Sequence, residues 1–200
     1  MAGQSKRGNT MKDVLRGNKV YLSHQRAGDA EYIARYQWAD GSARNSEWDV
    51  SHIREPEFFR KMLSGSNYDA FIFVIRRLSD DAPLGWIELQ DVSAQHQTAE
   101  LGITISDPQM RGQGFGVDAI NCLLAFAFFE MNLFKVRLEF NANNPAAAKA
   151  YTKVGFKTET IERQALYLDG RWFDRQIAAI FSADWQATHQ DWPEFSEVSR

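Results

Sequence analysis

The order of hydrophobic and polar positions predicts a mixture of strands and helices. Residues 99–105 alternate, with Leu101, Ile103 and Ile105 on one side, which is typical of a strand with one buried face. Residues 114–131 instead repeat their apolar side chains at helical spacing, which predicts a long helix. By the same two criteria we predict strands at 18–23, 71–75, 84–89, 99–105, 135–141, 156–167 and 172–181, and helices at 29–36, 55–63, 114–131 and 145–154.

The sequence of these elements indicates one mixed-sheet α/β domain. The three strands between residues 71 and 105 follow one another through short connections, which favours an antiparallel meander. A helix, a strand and a second helix come next, and the last two strands meet at Asp169-Gly170, a pair typical of β-hairpins. We therefore expect a single domain over residues 11–185, in which the meander precedes α-β-α and a C-terminal β-hairpin. Residues 1–10 are expected to be a disordered tail or a cloning remnant, and residues 186–200 a polar tail.

Composition narrows the class of protein. Hydrophobic residues make up 44% of the 200 residues and charged residues 24%, which is typical of globular proteins. The formal net charge is −3 and no Lys/Arg cluster stands out, which argues against nucleic acid as a partner. The one cysteine, Cys122, cannot form an internal disulfide, and no apolar run approaches the roughly 20 residues that a membrane span needs. We expect a cytoplasmic protein without membrane contact.

The most informative segment joins a predicted strand to the long helix, at residues 107–116. Gly112, Gly114 and Gly116 alternate within it, and Arg111 precedes them. Glycines let consecutive N–H groups approach a ligand, and the helix directs its positive end to the same place. The pattern predicts a phosphate or pyrophosphate site. It lacks the Gly-Lys-Ser/Thr ending of a Walker A loop and the last glycine of the dinucleotide fingerprint.

Two segments resemble motifs of the GCN5-related N-acetyltransferase (GNAT) superfamily. Arg111-Gly-Gln-Gly-Phe-Gly116 resembles its Arg/Gln-x-x-Gly-x-Gly/Ala motif, and residues 144–156, Asn-Pro-Ala-Ala-Ala-Lys-Ala-Tyr-Thr-Lys-Val-Gly-Phe, resemble its Asn…Ala…Tyr…Gly-Phe segment. The resemblance covers about residues 18–182. The hairpin near 167–171 is most similar to the RimJ/RimL branch, which includes ribosomal-protein N-terminal acetyltransferases and spermidine acetyltransferases. The resemblance implies an enzyme that transfers an acetyl group from acetyl-CoA to a primary amine.

The resemblance also implies where the cofactor lies. It assigns the pyrophosphate of acetyl-CoA to the glycine loop, and the pantetheine arm to a gap between the strands at 100–105 and 135–141. Asn144 matches a family position that contacts the cofactor. The implied cofactor-binding residues are Arg111, Gly112, Gln113, Gly114, Phe115, Gly116, Ile103, Thr104, Ile105 and Asn144.

Catalysis requires an acid and, for an ammonium substrate, a base. Tyr151 matches the family's usual general acid, and a phenol with an ordinary pKa near 10 is still protonated at neutral pH. Its alternative role is to pack an Ala-rich helix onto the sheet. Glu88 and Glu100 lie in the middle of predicted strands and are the candidate bases, with Glu139 as a weaker one. We rank Glu88 first because it shares a strand face with Trp86, which would raise its pKa.

The sequence does not specify the acceptor amine or the acyl donor. The acceptor amine could be a protein N-terminus, another peptide amine, a polyamine, an amino sugar or an antibiotic. An acyltransferase that uses a bulkier acyl-CoA and a non-catalytic CoA-binding regulatory module are the alternatives. The acidic segment 45–49, with Glu55 and Glu57, would suit a cationic substrate, although a solvated surface explains it equally well.

We expect no metal, because the histidines lack metal-ligand spacing; they are His24, His52, His96 and His189. Aromatic residues near the hairpin are compatible with a homodimer.

Overall fold

The computed structural model describes residues 14–37, 54–65 and 70–190, and within them one seven-stranded sheet and five helices. The strands are β1 Val20–Ser23, β2 Phe71–Arg77, β3 Pro83–Ser93, β4 Thr98–Ile105, β5 Lys135–Asn141, β6 Lys157–Leu168 and β7 Arg171–Phe181. The helices are α1 Asp29–Tyr36, α2 Pro56–Leu63, α3 Phe115–Ala125, α4 Pro145–Val154 and α5 Ser182–Thr188. The expected tail at 1–10 and the acidic segment 45–49 lie outside the described residues.

The sheet order is β1-β2-β3-β4-β5-β7-β6, which confirms the predicted mixed sheet. Strands β1 to β4 are antiparallel neighbours, β4 runs parallel to β5, and β5, β7 and β6 are again antiparallel. Strands β2 to β4 form the predicted meander, which β1 extends by one antiparallel strand, and β6 and β7 form the predicted hairpin. At the end of this hairpin Tyr167 and Trp172 pack on each other and are each 58% exposed, and the homodimer stays a prediction.

Two elements differ from the sequence-based expectation. Helix α5 extends into the segment that was expected to be a tail, because Trp185 is fully buried and its indole Nε1 donates to Asn121 Oδ1 at 3.1 Å. The helix predicted at 114–131 is α-helical only over its first part. After Ala125 it continues as a π-helical turn, Phe126–Glu130, in which the N–H of Met131 donates to the carbonyl of Phe126. No helix in the described ranges is both long enough and apolar enough to cross a bilayer.

The sheet separates two hydrophobic clusters. The larger cluster contains the buried residues of α3, which is apolar around most of its circumference, together with alternate residues of the central strands such as Ile87, Leu101 and Leu138. The smaller cluster lies between the sheet and the helices α1 and α2 and is centred on Val74, Trp86 and Phe59. Successive residues of a strand point to opposite faces, so the predicted alternation decides which side chains meet each cluster.

The parallel strands β4 and β5 pair only at their beginnings. The paired residues are Thr98–Glu100 of β4 and Lys135–Arg137 of β5. Beyond them, residues 101–105 pair with β3 alone and residues 138–141 pair with β7 alone. An opening therefore separates the later parts of two neighbouring strands. At the end of β4 the chain passes through a short 3-10 turn, Pro108–Met110, into the glycine loop and then α3.

Candidate active site

The loop between β4 and α3 is held by its own polar groups. The Asp107 carboxylate accepts from the N–H of Gln109 at 2.9 Å and begins the 3-10 turn. The guanidinium of Arg111 donates from Nε to the carbonyl of Ile105 at 2.9 Å and from Nη2 to the carbonyl of Ser106 at 3.1 Å. Arg111 thus ties the loop to the end of β4.

The glycine loop presents free N–H groups in the form that an anion site needs. Helix α3 begins directly after Gly114, whose φ of 86° lies in the left-handed region that favours glycine. Within the described part of the chain, the N–H groups of residues 112–116 donate to no acceptor. Unpaired N–H groups at the start of a helix, where its dipole is positive, bind phosphate groups. The loop therefore has the form of a phosphate-binding site.

The start of α3 packs closely on the end of β4. A Cβ atom built on Gly116 would lie 3.8 Å from Ile105 Cγ1 and 3.9 Å from Ile103 Cδ1. Phe115 is a buried member of the larger hydrophobic cluster, and the partly buried side chains of Ile103 and Ile105 pack against that cluster. Their packing places the loop at one end of the opening between β4 and β5.

Asn144 begins helix α4. Its side-chain Oδ1 accepts from the N–H of Ala147 at 3.1 Å, the hydrogen bond of an N-cap. The same helix ends at Gly155, whose φ of 112° makes it a left-handed C-cap. The positions singled out in this segment therefore fix both ends of the helix that carries Tyr151.

Tyr151 lies on α4 between two other aromatic rings. Its ring centroid is 5.4 Å from that of Phe140 on β5 and 6.0 Å from that of Phe156. Its hydroxyl forms no hydrogen bond with the described residues, and burial raises the pKa of the phenol to about 12. The phenol therefore carries its proton throughout the physiological pH range.

The three candidate carboxylates have different surroundings. Glu100 is buried, its Oε2 lies 2.7 Å from Arg137 Nη2, and its Oε1 accepts from Gln90 Nε2 at 3.1 Å. The carboxylate of Glu139 accepts from Arg175 Nη1 at 3.2 Å. These two glutamates are thus engaged by arginines of β5 and β7.

Glu88 has no such partner among the described residues. It is paired across the strands with Gly102, and a Cβ atom there would lie 3.0 Å from Glu88 Oε1, so the glycine makes room for the carboxylate. Burial and, secondly, the negative charge of Glu100 raise the pKa of Glu88 to about 7. Trp86, two residues away, is 7% exposed and belongs to the smaller cluster, so it supplies apolar surroundings from within the core.

Sequence reasoning missed one cation at the loop. The ammonium of Lys19, just before β1, donates to the carbonyl of Gln113 at 2.7 Å. The two residues are 94 positions apart, and no pattern in the chain links them.

The chain is similar to known acetyltransferases over most of its length. The family model described as "Acetyltransferase (GNAT) domain" matches residues 19–157. A relative from Bacillus subtilis, the probable N-acetyltransferase YjcK, is 29% identical over 182 residues, which cover 86% of this chain and 98% of the relative. The spermidine N(1)-acetyltransferase of Vibrio cholerae is 33% identical over 91 residues, about half of either chain: 46% of this one and 52% of the relative.

Solved structures share the fold. A probable acetyltransferase of the GNAT family from Chromobacterium violaceum superposes with a TM-score of 0.71 at 22% identity, covering 93% of this chain and 94% of its own. The spermidine N-acetyltransferase of Vibrio cholerae in complex with CoA and spermine superposes with a TM-score of 0.70 at 24% identity, covering 83% and 97%. The family match, the seven-stranded mixed sheet and the glycine loop lead to one conclusion: this chain belongs to the GNAT family of acyl-CoA-dependent N-acetyltransferases.

Proposed function

We propose that this protein transfers the acetyl group of acetyl-CoA to a primary amine by direct attack of the amine on the thioester. The observation that carries the proposal is the opening between β4 and β5. The glycine loop lies at its end, Glu88 approaches from β3 on one side, and Tyr151 packs beside Phe140 of β5 on the other. Binding, deprotonation and protonation are thereby assigned to three parts of one cleft.

The binding part consists of main-chain groups. The free N–H groups of residues 112–116 would hold the diphosphate, and the unpaired edges of residues 101–105 and 138–141 would hydrogen-bond the amides of the pantetheine arm. The amide nitrogen of Asn144 can donate while its oxygen caps α4. Bound acetyl-CoA supplies the thioester, and the protein residues position it and move the protons.

Glu88 is the proposed base. A carboxylate with an ordinary pKa near 4.3 takes a proton from an ammonium poorly at neutral pH, whereas a pKa of about 7 suits a general base there. Glu88 would accept the proton that the attacking amine must lose. Glu100 and Glu139 are less suited, because each carboxylate already pairs with an arginine, Glu100 with Arg137 and Glu139 with Arg175.

Tyr151 is the proposed acid. Its hydroxyl would donate a hydrogen bond to the sulfur and then its proton, as negative charge develops when the carbon–sulfur bond breaks. The proton accepted by Glu88 and the proton given by Tyr151 balance through solvent, so both groups return to their starting state. The raised pKa of Tyr151 ensures that the proton is present before the reaction begins.

The proposed acceptor is a small cationic amine of the polyamine class. Support comes from the relatives named as spermidine N(1)-acetyltransferases and from the neighbouring structure that holds CoA and spermine. A net charge of −3 also favours a cationic substrate. The RimJ/RimL branch, which includes peptide N-terminal acetyltransferases, stays a prediction.

The test is thiol release from acetyl-CoA in the presence of spermidine, spermine, a peptide with a free N-terminus, an amino sugar and an aminoglycoside. We expect polyamines to give the highest kcat/KM, and the same assay with larger acyl-CoAs to give slower release. CoA binding without thiol release from any amine would instead favour a regulatory module. Faster release from a bulkier acyl-CoA would reassign the donor, and a preference for the peptide would reassign the acceptor.

A further inference from the structure

Lys19 brings a positive charge to the glycine loop from a distant part of the chain. Its Nζ lies 2.7 Å from the carbonyl oxygen of Gln113, and a Cβ atom built on Gly114 would lie 3.2 Å from the same nitrogen. The ammonium is thus beside the turn that carries the free N–H groups. Lys19 is exposed, so its charge is open to a ligand that arrives from solvent.

The main chain around Lys19 is fixed from two sides. Its N–H donates to Asp118 Oδ2 at 2.7 Å, and its carbonyl accepts from the N–H of Leu78 at 2.9 Å. The neighbouring N–H groups of Asn18 and Val20 donate to the same carboxylate at 3.1 and 2.9 Å. The backbone from which the lysine side chain extends is therefore anchored to the first turn of α3.

This anchor depends on close approach at Gly17. A Cβ atom there would lie 2.4 Å from Asp118 Oδ2, so a side chain at this position would displace the carboxylate. Asp118 is 8% exposed and belongs to the first turn of the helix that receives the phosphates. Its negative charge would oppose an anion there, but three N–H groups bind it, and Lys19 adds a positive charge nearby.

We propose that Lys19 binds a phosphate group of CoA at the glycine loop. The inference rests on the proposed function, because it requires CoA to bind there. A flexible ammonium that already reaches the Gln113 carbonyl can pair with a phosphate held by the adjacent N–H groups. Both the diphosphate and the 3′-phosphate of CoA offer this chemistry.

The experiment is calorimetry of CoA and of 3′-dephospho-CoA with the wild type and three variants. Lys19→Met removes the charge and keeps most of the stem, and Lys19→Arg keeps the charge. Lys157→Met removes a lysine charge elsewhere, at the beginning of β6, where its ammonium pairs with Asp184. We expect Lys19→Met to raise the Kd for CoA about three- to tenfold, and the other two variants to stay within about twofold of the wild type.

The comparison of CoA with 3′-dephospho-CoA shows which phosphate Lys19 contacts, and the dependence on salt shows whether the contact is an exposed ion pair. If the loss persists with 3′-dephospho-CoA, Lys19 pairs with the diphosphate, and if it disappears, Lys19 pairs with the 3′-phosphate; either result supports a phosphate contact. Raising the salt from about 50 to about 300 mM should narrow the difference between wild type and Lys19→Met, because screening weakens an exposed ion pair. If Lys19→Met is unstable, Lys19→Gln serves the same comparison.

Two results would overturn this inference and leave the proposed function standing. Equal Kd values for wild type and Lys19→Met would show that the ammonium does not contact the ligand. A difference that is independent of salt and shared by Lys19→Arg would show that Lys19 only supports the loop through Gln113. A wild type that fails to bind CoA at all would instead remove the proposed function and this inference together.

Discussion

The glycine loop and the carboxylate face of β3 and β4, which carries Glu88 and Glu100, depend on different kinds of contact. In the loop, Arg111 bonds to carbonyls five and six residues earlier, and Gly114 sets the start of α3 by its own left-handed φ. On the carboxylate face, the surroundings of Glu88 come from Gly102 and Glu100 on the neighbouring strand. The main-chain part of the proposed phosphate site is thus encoded by consecutive residues, whereas the proposed base is defined by strand register.

The difference explains why three similar glutamates have different proposed roles. Glu88, Glu100 and Glu139 all lie in strands, and each could face a cleft. The sheet places Arg137 beside Glu100 and Arg175 beside Glu139, and leaves Glu88 opposite Gly102 without an arginine partner among the described residues. Ion pairs between strands, which local sequence does not reveal, engage the other two glutamates and leave Glu88 as the candidate base.

The largest expected effect belongs to the acid. Tyr151→Phe removes the hydroxyl and keeps the ring between Phe140 and Phe156, so kcat should fall by about 10²–10⁴ while the KM for acetyl-CoA changes little. Thiol release at saturating substrate measures this. Tyr167→Phe, at an exposed tyrosine of β6, is the matched control. Turnover near that of the wild type would return Tyr151 to a packing role.

The second prediction tests the base. Glu88→Gln should lower kcat/KM by about 10² above pH 7, because there the wild-type carboxylate, with a pKa of about 7, is ionised and can accept a proton. As the pH falls below 7, Glu88 of the wild type becomes protonated and kcat/KM of the wild type falls toward that of the variant. This fall at low pH is the acid limb of the profile, and the variant should lack it.

The control for this variant is Glu139→Gln, at the carboxylate that Arg175 engages. It should keep the acid limb of the wild type. If Glu88→Gln keeps the limb and Glu100→Gln loses it, the base is Glu100. If both keep the limb, the proton leaves through water or the substrate.

The third prediction tests whether the glycine loop binds CoA. Gly114→Glu adds a negative charge and a side chain at a φ of 86°, so the Kd for CoA should rise about tenfold or more by calorimetry. Gly170→Glu places the same side chain at a φ of 75° in the β6–β7 turn and controls for backbone strain. Unchanged CoA affinity in a folded Gly114→Glu protein would remove the phosphate site from this loop.

Sequence patterns located the elements and the loop, because both depend on neighbouring residues. The alternation at β4, the helical spacing of α3 and the Asp169-Gly170 turn each reflect a local rule. Contacts between distant segments could not be predicted from the sequence. The pairing of Glu100 with Arg137 requires the parallel register of β4 and β5, and the contact of Lys19 with Gln113 spans 94 positions. Helix α5 was missed because one buried residue, Trp185, holds a short polar helix in place.

The smallest expected effect is that of Glu100→Gln, which tests whether Glu88 and Glu100 interact across the strands. The charge of Glu100 is the second cause of the raised pKa of Glu88, after burial. Glu100→Gln removes that charge, which favours ionised Glu88, while Arg137 retains its longer contact with Asp91 Oδ2 at 3.8 Å. The acid limb of the kcat/KM profile should therefore move to lower pH, although burial, which is unchanged, keeps it above the range of an ordinary glutamate.

The maximum of kcat/KM at high pH should change little in this variant, since Glu88 is intact. Glu139→Gln, which removes a carboxylate bound to Arg175 instead, should leave the limb where it is. A limb that stays in place in Glu100→Gln would show that the two carboxylates do not interact, and burial alone would then set the pKa of Glu88. A limb that moves to higher pH would show that Glu100 holds Arg137 in a position where the arginine stabilises ionised Glu88, and the assignment of Glu100 as a raising charge would be wrong.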